Sequence, residues 1–151
     1  MKKDGEISGK KILKKVSKKL KQYDKLSYGG QFAMFMGKVQ LLEINLRRLL
    51  VELFDYKWER IEKWTLGQLT TELDNNKLRP DFIHLLKSLV ERRNYVAHEL
   101  LADELISQAI LGSSKFKKHY SKELRFLHKS IFELEQVMLI YRLTNKHGSW
   151  K

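Results

Sequence analysis

The chain has 151 residues with 42% apolar side chains, one Pro and eight Gly, which is enough for a single hydrophobic core and argues against wholesale disorder. The absence of Cys excludes disulfides, thiolate zinc sites and Cys nucleophiles, and no apolar run approaches the roughly 18 residues of a membrane span. The net charge of +12 favours polyanionic partners, nucleic acid before membrane. No apolar segment typical of a secretory signal follows the N-terminus, so we expect a reducing, cytoplasmic location.

Residues 1–25 form a basic N-terminal arm that carries ten Lys against three acidic residues. One side of a predicted helix in this arm is apolar, and its other side is nearly all Lys. Either the arm lies on RNA phosphates or a membrane surface, or it packs its stripe on the body and leaves the Lys in water. The stripe contains Leu13, Val16, Leu20 and Tyr23, with no Trp or Phe to favour a membrane. The Lys expected to bind RNA are Lys14, Lys15, Lys18 and Lys19, with Lys117 and Lys118 in a second basic patch.

Residues 26–145 are predicted to form the helical domain, and residues 146–151 are a C-terminal tail without periodicity. We expect Tyr28-Gly29-Gly30 to break the chain, after which a second helix runs from about Gln31 to Phe54. Its apolar positions recur at alternating fours and threes, which is typical of a helix facing a core. These positions are Phe35, Val39, Leu42, Leu46, Leu49 and Leu53.

Thr65 is a predicted N-cap for a short helix that ends near Leu73. The aromatic residues before it, Tyr56, Trp58 and Trp64, are expected to attach this connection to the core rather than stack on bases. No alternating segment indicates a strand. The sequence therefore predicts an all-α, single-domain antiparallel bundle of four or five helices.

Pro80 is suited to the first position of the next helix, which is predicted to reach about Leu111. Gly112-Ser113-Ser114 is expected to stop it, and the last helix begins near Tyr120. The inward positions of that last helix are Leu124, Leu127, Ile131, Leu134, Met138 and Tyr141.

Arg93 interrupts the apolar stripe of the helix that begins at Pro80, at a position where Leu or Ile is expected. A guanidinium does not lose its charge and is costly to bury without a partner. Glu43, at the edge of the stripe on the second helix, is one candidate partner. The alternative for Glu43 is an i,i+4 surface pair with Arg47. The stripe itself consists of Phe82, Leu86, Leu89, Val96, Ala97 and Leu100.

His98 follows Arg93 by five residues and is the side chain best suited to proton transfer near neutral pH. Five residues are about 140° apart on an ideal helix, so the two side chains should not meet. Either the helix is distorted or ends around Tyr95 to Ala97, or two chains bring their motifs together across a twofold axis. Asn94 and His98 share a face. The alternative without function is that His98 merely faces solvent.

Common catalytic signatures are absent from the sequence: it contains no glycine-rich phosphate loop, no His-Glu-x-x-His and no Gly-x-Ser-x-Gly. The five His do not share the i,i+4 spacing of a helical metal site. We therefore expect neither a metal site nor a cofactor.

Arg93-Asn94-Tyr95-Val96-Ala97-His98 resembles the Arg-x4–6-His motif of the HEPN superfamily, in the version with a polar residue directly after the Arg. The likeness covers roughly residues 31–144 and includes the late position of the motif helix. Two features depart from it: Leu100 stands where HEPN toxins with nucleotidyltransferase antitoxins usually have a Tyr, and Arg92 also fits the looser spacing as a backup.

The resemblance implies a metal-independent endoribonuclease that cleaves single-stranded RNA to 2′,3′-cyclic phosphate and 5′-hydroxyl ends, as a homodimer with a shared basic cleft. His98 would be the general acid/base, Arg93 would bind the scissile phosphate, and Asn94 would assist in positioning. The expected role is a toxin or antiviral-defence effector with an antitoxin or immunity protein as partner. The alternatives are a non-catalytic HEPN module that binds nucleotide, RNA or a protein, and a helical adaptor acting through the basic arm.

Overall fold

The structure, a computed structural model, describes residues 9–151, with side chains described for residues 9–100 and 122–151. The predicted all-α class is confirmed, with no strand in the described residues. Lys117 and Lys118 lie outside the described side chains. Within the described ranges, no helix is long and apolar enough to cross a membrane. The helices are α1 (Gly9–Leu20), α2 (Tyr28–Phe54), α3 (Trp58–Ile61), α4 (Leu66–Asn75), α5 (Pro80–Tyr95), a π-helix (Val96–Leu100) and α6 (Leu101–His147).

Helix α2 begins earlier than the sequence suggests. The predicted break at Tyr28-Gly29-Gly30 is wrong, because these residues form the first turn of α2. Ser27 is the N-cap, and its Oγ accepts a hydrogen bond from the Gly30 backbone N–H at 3.1 Å. An N-cap hydroxyl satisfies a donor that the helix leaves unpaired, and this compensates for the poor helix propensity of the two glycines.

The predicted core stripe of α2 is largely confirmed. Its residues from Phe35 to Leu49 are at most 1% exposed, but Leu53 is 39% exposed and Leu50 is fully buried instead. The difference arises because a strict seven-residue repeat drifts around an α-helix that has 3.6 residues per turn. At the end of the helix the face toward the core has therefore moved from Leu53 to Leu50.

Helix α4 has the predicted cap. Thr65 and Gln68 form a capping box in which each side chain binds the other residue's backbone N–H, as is typical of stable helix starts. The aromatic connection before it packs as expected, with Tyr56 and Trp64 edge-to-face at 6.3 Å and partly buried against the core. Trp58 is the exception, at 38% exposed.

Helix α6 returns along α5, so the helical chain reverses direction. The Tyr95 and Phe126 ring centroids are 4.4 Å apart, whereas a straight helix would separate residues 31 positions apart by about 46 Å. The predicted stop at Gly112 is wrong at the level of secondary structure, because the helical backbone continues through residues 112–114.

The last residues of the chain close the bundle rather than extend from it. Gly148 has φ 65°, in the left-handed region that Gly adopts without strain, and it ends α6. Trp150 is 3% exposed and packs against Phe82 and Tyr141, with centroids 5.0 and 5.5 Å away. The backbone N–H of Arg79 donates to the Trp150 carbonyl at 3.0 Å. The start of α5 is thereby held against the end of α6.

Candidate functional site

Arg93 lies near the end of α5, on the side of the helix that faces the core. The apolar residues around it are buried, since Leu86, Leu89 and Val96 are fully covered. Arg93 itself is partly buried, and its Nε is buried without a hydrogen-bond partner in the described structure. One terminal nitrogen donates to the side-chain oxygen of the exposed Asn94 at 3.3 Å. The guanidinium is thus held by packing and by a neutral amide.

Glu43 does not neutralise Arg93. Of its two interpretations, the structure shows the i,i+4 pair, with the Glu43 carboxylate 3.7 Å from the Arg47 guanidinium and both side chains 12% exposed. Arg47 also donates to the Trp64 carbonyl at 2.9 Å. Glu43 therefore supports α2 and its contact with the α3–α4 connection, and the charge of Arg93 has no carboxylate beside it among the described residues.

Arg92, the backup candidate, has a structural partner. Its Nε is 2.9 Å from the Glu133 carboxylate on α6, and its guanidinium lies over the Phe126 ring at 5.2 Å. Ser88 donates to the same carboxylate at 3.0 Å. Arg92 consequently joins α5 to α6, while Arg93 is the arginine of the motif that remains available to an anion.

A π-helical turn begins directly after Tyr95 and contains His98. The predicted helix distortion is therefore confirmed at the expected residues. A π-helix has i→i+5 hydrogen bonds, so its wider turn reduces the angle between residues five apart, and such turns are frequent at functional sites. His98 is exposed, and no hydrogen bond or ion pair joins it to Arg93 or to other described side chains. One chain alone therefore brings Arg93 to Asn94 but not to His98.

A basic groove of about 450 Å³ lies between the end of α5 and the returning part of α6. Sequence reasoning did not identify its residues, although Lys122, Arg125 and Lys129 are spaced i, i+3, i+7, which places them on one helix face. This signal was weak because the same segment also carries the core stripe of α6. The groove is lined by Tyr95, Lys122, Glu123, Arg125, Phe126 and Lys129.

The described part of the basic arm, from residue 9 onward, packs on the body, and its lysines are wholly or partly exposed. Val16 and Tyr23 are buried against α6, as the stripe predicts, but Leu13 is 51% exposed because α1 contacts the body along a narrow line. Lys15, Lys18 and Lys19 line a groove of about 400 Å³ that also contains Glu135 and Arg142 of α6. Lys14 is exposed beside it.

The lysines of α1 are remote from the motif. They lie beside Glu135 to Arg142, whereas Tyr95 meets α6 at Glu123 and Phe126. The twelve positions from 123 to 135 correspond to about 18 Å along α6. An RNA that touches the motif would need to extend along the bundle to reach α1.

Buried polar contacts attach α2 and the connection between α1 and α2 to α6. The Tyr23 hydroxyl donates to the Glu135 carboxylate at 2.8 Å, and Lys38 forms an ion pair with the same carboxylate. Burial, reinforced by this hydrogen bond, raises the pKa of Tyr23 above its ordinary value. Glu135 is 3% exposed, so this network is structural.

The described side chains contain no group of three or more His, Asp or Glu placed to hold a metal ion. Comparison of the chain with protein-family models, curated proteins and solved structures found no match. The site offers an uncompensated cation, an amide beside it and an exposed imidazole one turn later. Those groups are suited to anion binding and proton transfer.

Proposed function

We propose that the chain is a metal-independent endoribonuclease of the HEPN type, acting as a homodimer on single-stranded RNA. A free ribonuclease endangers its own cell, so we further propose a role as a toxin or antiviral-defence effector that an antitoxin or immunity protein restrains. The net charge of +12 supports a polyanionic substrate.

The proposal is supported chiefly by the guanidinium of Arg93, which has no negative charge beside it among the described residues. It is partly buried, its described hydrogen bond goes to neutral Asn94, and no described carboxylate lies beside it. Holding a partly buried cation without a counterion has a cost, and proteins retain such costs at functional sites. A phosphate bound there would supply the missing negative charge.

The chemistry needs little from the protein because RNA contains its own nucleophile. The 2′-oxygen attacks phosphorus and the bond to the 5′-oxygen breaks, which gives a 2′,3′-cyclic phosphate and a 5′-hydroxyl. His98 moves the proton, either from the 2′-hydroxyl or to the leaving 5′-oxygen. Arg93 binds the phosphate oxygens and stabilises their developing charge, and Asn94 orients the guanidinium.

A second copy of the chain would bring a His98 close to Arg93. Among the described residues, no hydrogen bond or ion pair joins Arg93 to His98 of the same chain. A twofold axis beside the π-helical turn would bring two copies of Arg93 and His98 to one cleft. The exposure of His98 and Asn94 leaves this surface open for such pairing.

The test is RNA cleavage by purified protein in EDTA, with analysis of the product ends. We expect cutting by the wild type, cyclic phosphate ends, and at least a hundredfold loss in His98→Ala. His84→Ala is the matched control, because His84 is an exposed residue of the same helical segment and its loss should leave the rate unchanged.

Equal cleavage by the wild type and His98→Ala would show that the activity belongs to another site or to a contaminant. RNA binding without turnover would instead support the non-catalytic alternative. Loss of activity on deleting residues 1–25, with His98→Ala still active, would support the adaptor.

A further inference from the structure

The groove beside the motif has an unbalanced positive charge. Lys122, Arg125 and Lys129 are exposed along one face of α6, and none makes an ion pair with the described residues. Glu123 also lines the groove, but it is 4% exposed and accepts a long hydrogen bond from the Tyr95 hydroxyl at 3.5 Å. The surface that a ligand meets is therefore cationic.

The spacing of these cations suits a chain of phosphates. Positions 122 and 129 are seven residues apart, or about 10 Å along the helix, so the three charges form a line rather than a single pocket. A small anion would engage one or two of them. A polyanion that runs along α6 engages all three.

Aromatic rings form the wall of the same groove. Tyr95 and Phe126 lie against one another at 4.4 Å, and the Arg92 guanidinium lies over the Phe126 ring, so Phe126 supports the partly exposed Tyr95. Cations that follow a backbone, combined with rings on which bases stack, are the elements of single-strand nucleic-acid recognition. An acidic protein would use the cations but would have less use for the rings.

A second copy of this chain is a poor occupant. A twofold contact brings the same patch of both subunits together, so it would place these cations against their own copies. The like charges would repel each other. The homodimer contact is better placed on the exposed side of the π-helical turn.

We propose that the groove lined by Tyr95, Lys122, Arg125, Phe126 and Lys129 binds the RNA strand that flanks the scissile phosphate. That the strand flanks a scissile phosphate rests on the proposed function, whereas the binding itself needs no cleavage. Tyr95 belongs to the motif as well as to the groove, and it therefore joins the strand-binding surface to Arg93 and His98.

The test measures binding of a fluorescent single-stranded RNA to full-length His98→Ala protein over a range of salt concentrations. Replacing Lys122, Arg125 and Lys129 together by Ala should lower the slope of log affinity against log salt by about 2, since each contact to a single strand contributes about 0.7. The control replaces Lys57, Lys63 and Lys146, which are exposed elsewhere, and carries the same net charge.

Equal slopes for the groove variant and the control would overturn the proposal, as would the absence of RNA binding by the starting protein. If the groove variant loses binding while the wild type never cleaves RNA, the groove is supported and the nuclease is not. The two proposals thus fail separately.

A second measurement reports on the rings. The fluorescence of 2-aminopurine in a bound RNA should be quenched by the His98→Ala protein. The same quenching is expected for its Tyr95→Phe variant, which keeps the ring. Tyr95→Leu should lose most of the quenching. Similar quenching in all three proteins would overturn the stacking role of Tyr95. The groove would be only a general cationic patch if its substitutions weakened heparin binding as much as RNA binding and if RNA binding did not quench the 2-aminopurine fluorescence.

Discussion

Three partly buried arginines differ in whether a carboxylate lies beside the guanidinium. Arg47 and Arg92 each have a carboxylate within ion-pair distance, Glu43 and Glu133 respectively. Arg93, next in the chain to Arg92, has the Asn94 amide instead. Removing one member of a buried pair leaves the other charge unpaired, so these arginines should respond very differently to the same substitution.

Arg93→Gln should lower RNA cleavage at least a hundredfold and leave the free energy of unfolding within about 1 kcal/mol of the wild type, because no described counterion is abandoned. Arg92→Gln should instead lower the free energy of unfolding and affect cleavage less. Loss of its pair with Glu133 should cost roughly 1–3 kcal/mol with a smaller effect on cleavage per folded molecule. Urea unfolding and cleavage assays on both variants decide this, and equal effects of the two substitutions would contradict it.

At the scale of elements, the π-helical turn is the feature that separates this helix from an ordinary amphipathic one. Its first and last residues remain in the core, with Val96 and Leu100 both fully buried. A π turn holds one residue more than an α turn, so the chain includes an extra residue without turning either flank out of the core. That extra residue changes where His98 lies relative to Arg93.

Deletion of Ala97 should convert the π turn into a regular α turn. The flanking apolar residues keep their faces, so the protein should fold with unchanged or higher stability. The imidazole of His98 moves by a fraction of a turn, and displacement by about 1 Å costs on the order of a hundredfold in rate. Circular dichroism, thermal unfolding and cleavage are the measurements, with Ala97→Ser as the control of unchanged length. A fully active deletion variant would show that the π turn is not needed.

In the whole molecule, the largely buried Tyr23–Glu135–Lys38 network attaches α2 and the connection between α1 and α2 to α6. The pKa of Tyr23 is raised, chiefly by burial, which means that the folded state resists its ionisation. The unfolded chain ionises Tyr near pH 10. Stability from this group is therefore fully present below about pH 10 and is lost as the pH rises from there toward the folded pKa.

Tyr23→Phe should lower the free energy of unfolding by about 1 kcal/mol at neutral pH, because a buried hydrogen bond to a carboxylate is lost. Above pH 10 the wild type should lose about 1.4 kcal/mol per pH unit through Tyr23, a loss that the variant lacks. Denaturant unfolding of both proteins from pH 7 to 11.5 should show the advantage of the wild type shrinking above pH 10 and then reversing. A constant difference across this range would mean that Tyr23 ionises equally in both states.

Assembly across a twofold axis makes a separate prediction. If each cleft takes Arg93 from one chain and His98 from its partner, mixing the inactive variants Arg93→Ala and His98→Ala should restore about a quarter of the wild-type rate. Random pairing makes half of the dimers mixed, and each mixed dimer has one intact site of two. Refolding the variants together and measuring cleavage tests this. No recovery, in the presence of mixed dimers, would place each site within a single chain.

Patterns among neighbouring residues were enough to predict several helices and their starts. Periodic apolar residues predicted α2 and the last part of α6, while the Thr65 cap and Pro80 predicted the starts of α4 and α5. A distortion around Tyr95 to Ala97 was one of two outcomes predicted because the spacing of Arg93 and His98 does not fit a regular helix. All of these depend on residues within a few positions of each other, so the pattern is visible without a fold.

Which arginines have a carboxylate partner became clear only from the packing of the helices. Glu43 had two plausible partners and took the local one, Arg47. The pairing of Arg92 with Glu133, by contrast, depends on which side chains face each other when α6 returns along α5. The same packing buries Trp150, which lies in a segment without periodicity, and assembles the groove of Tyr95 with Lys122, Arg125 and Lys129. Such contacts join residues about 30 to 70 positions apart, and no local pattern encodes them.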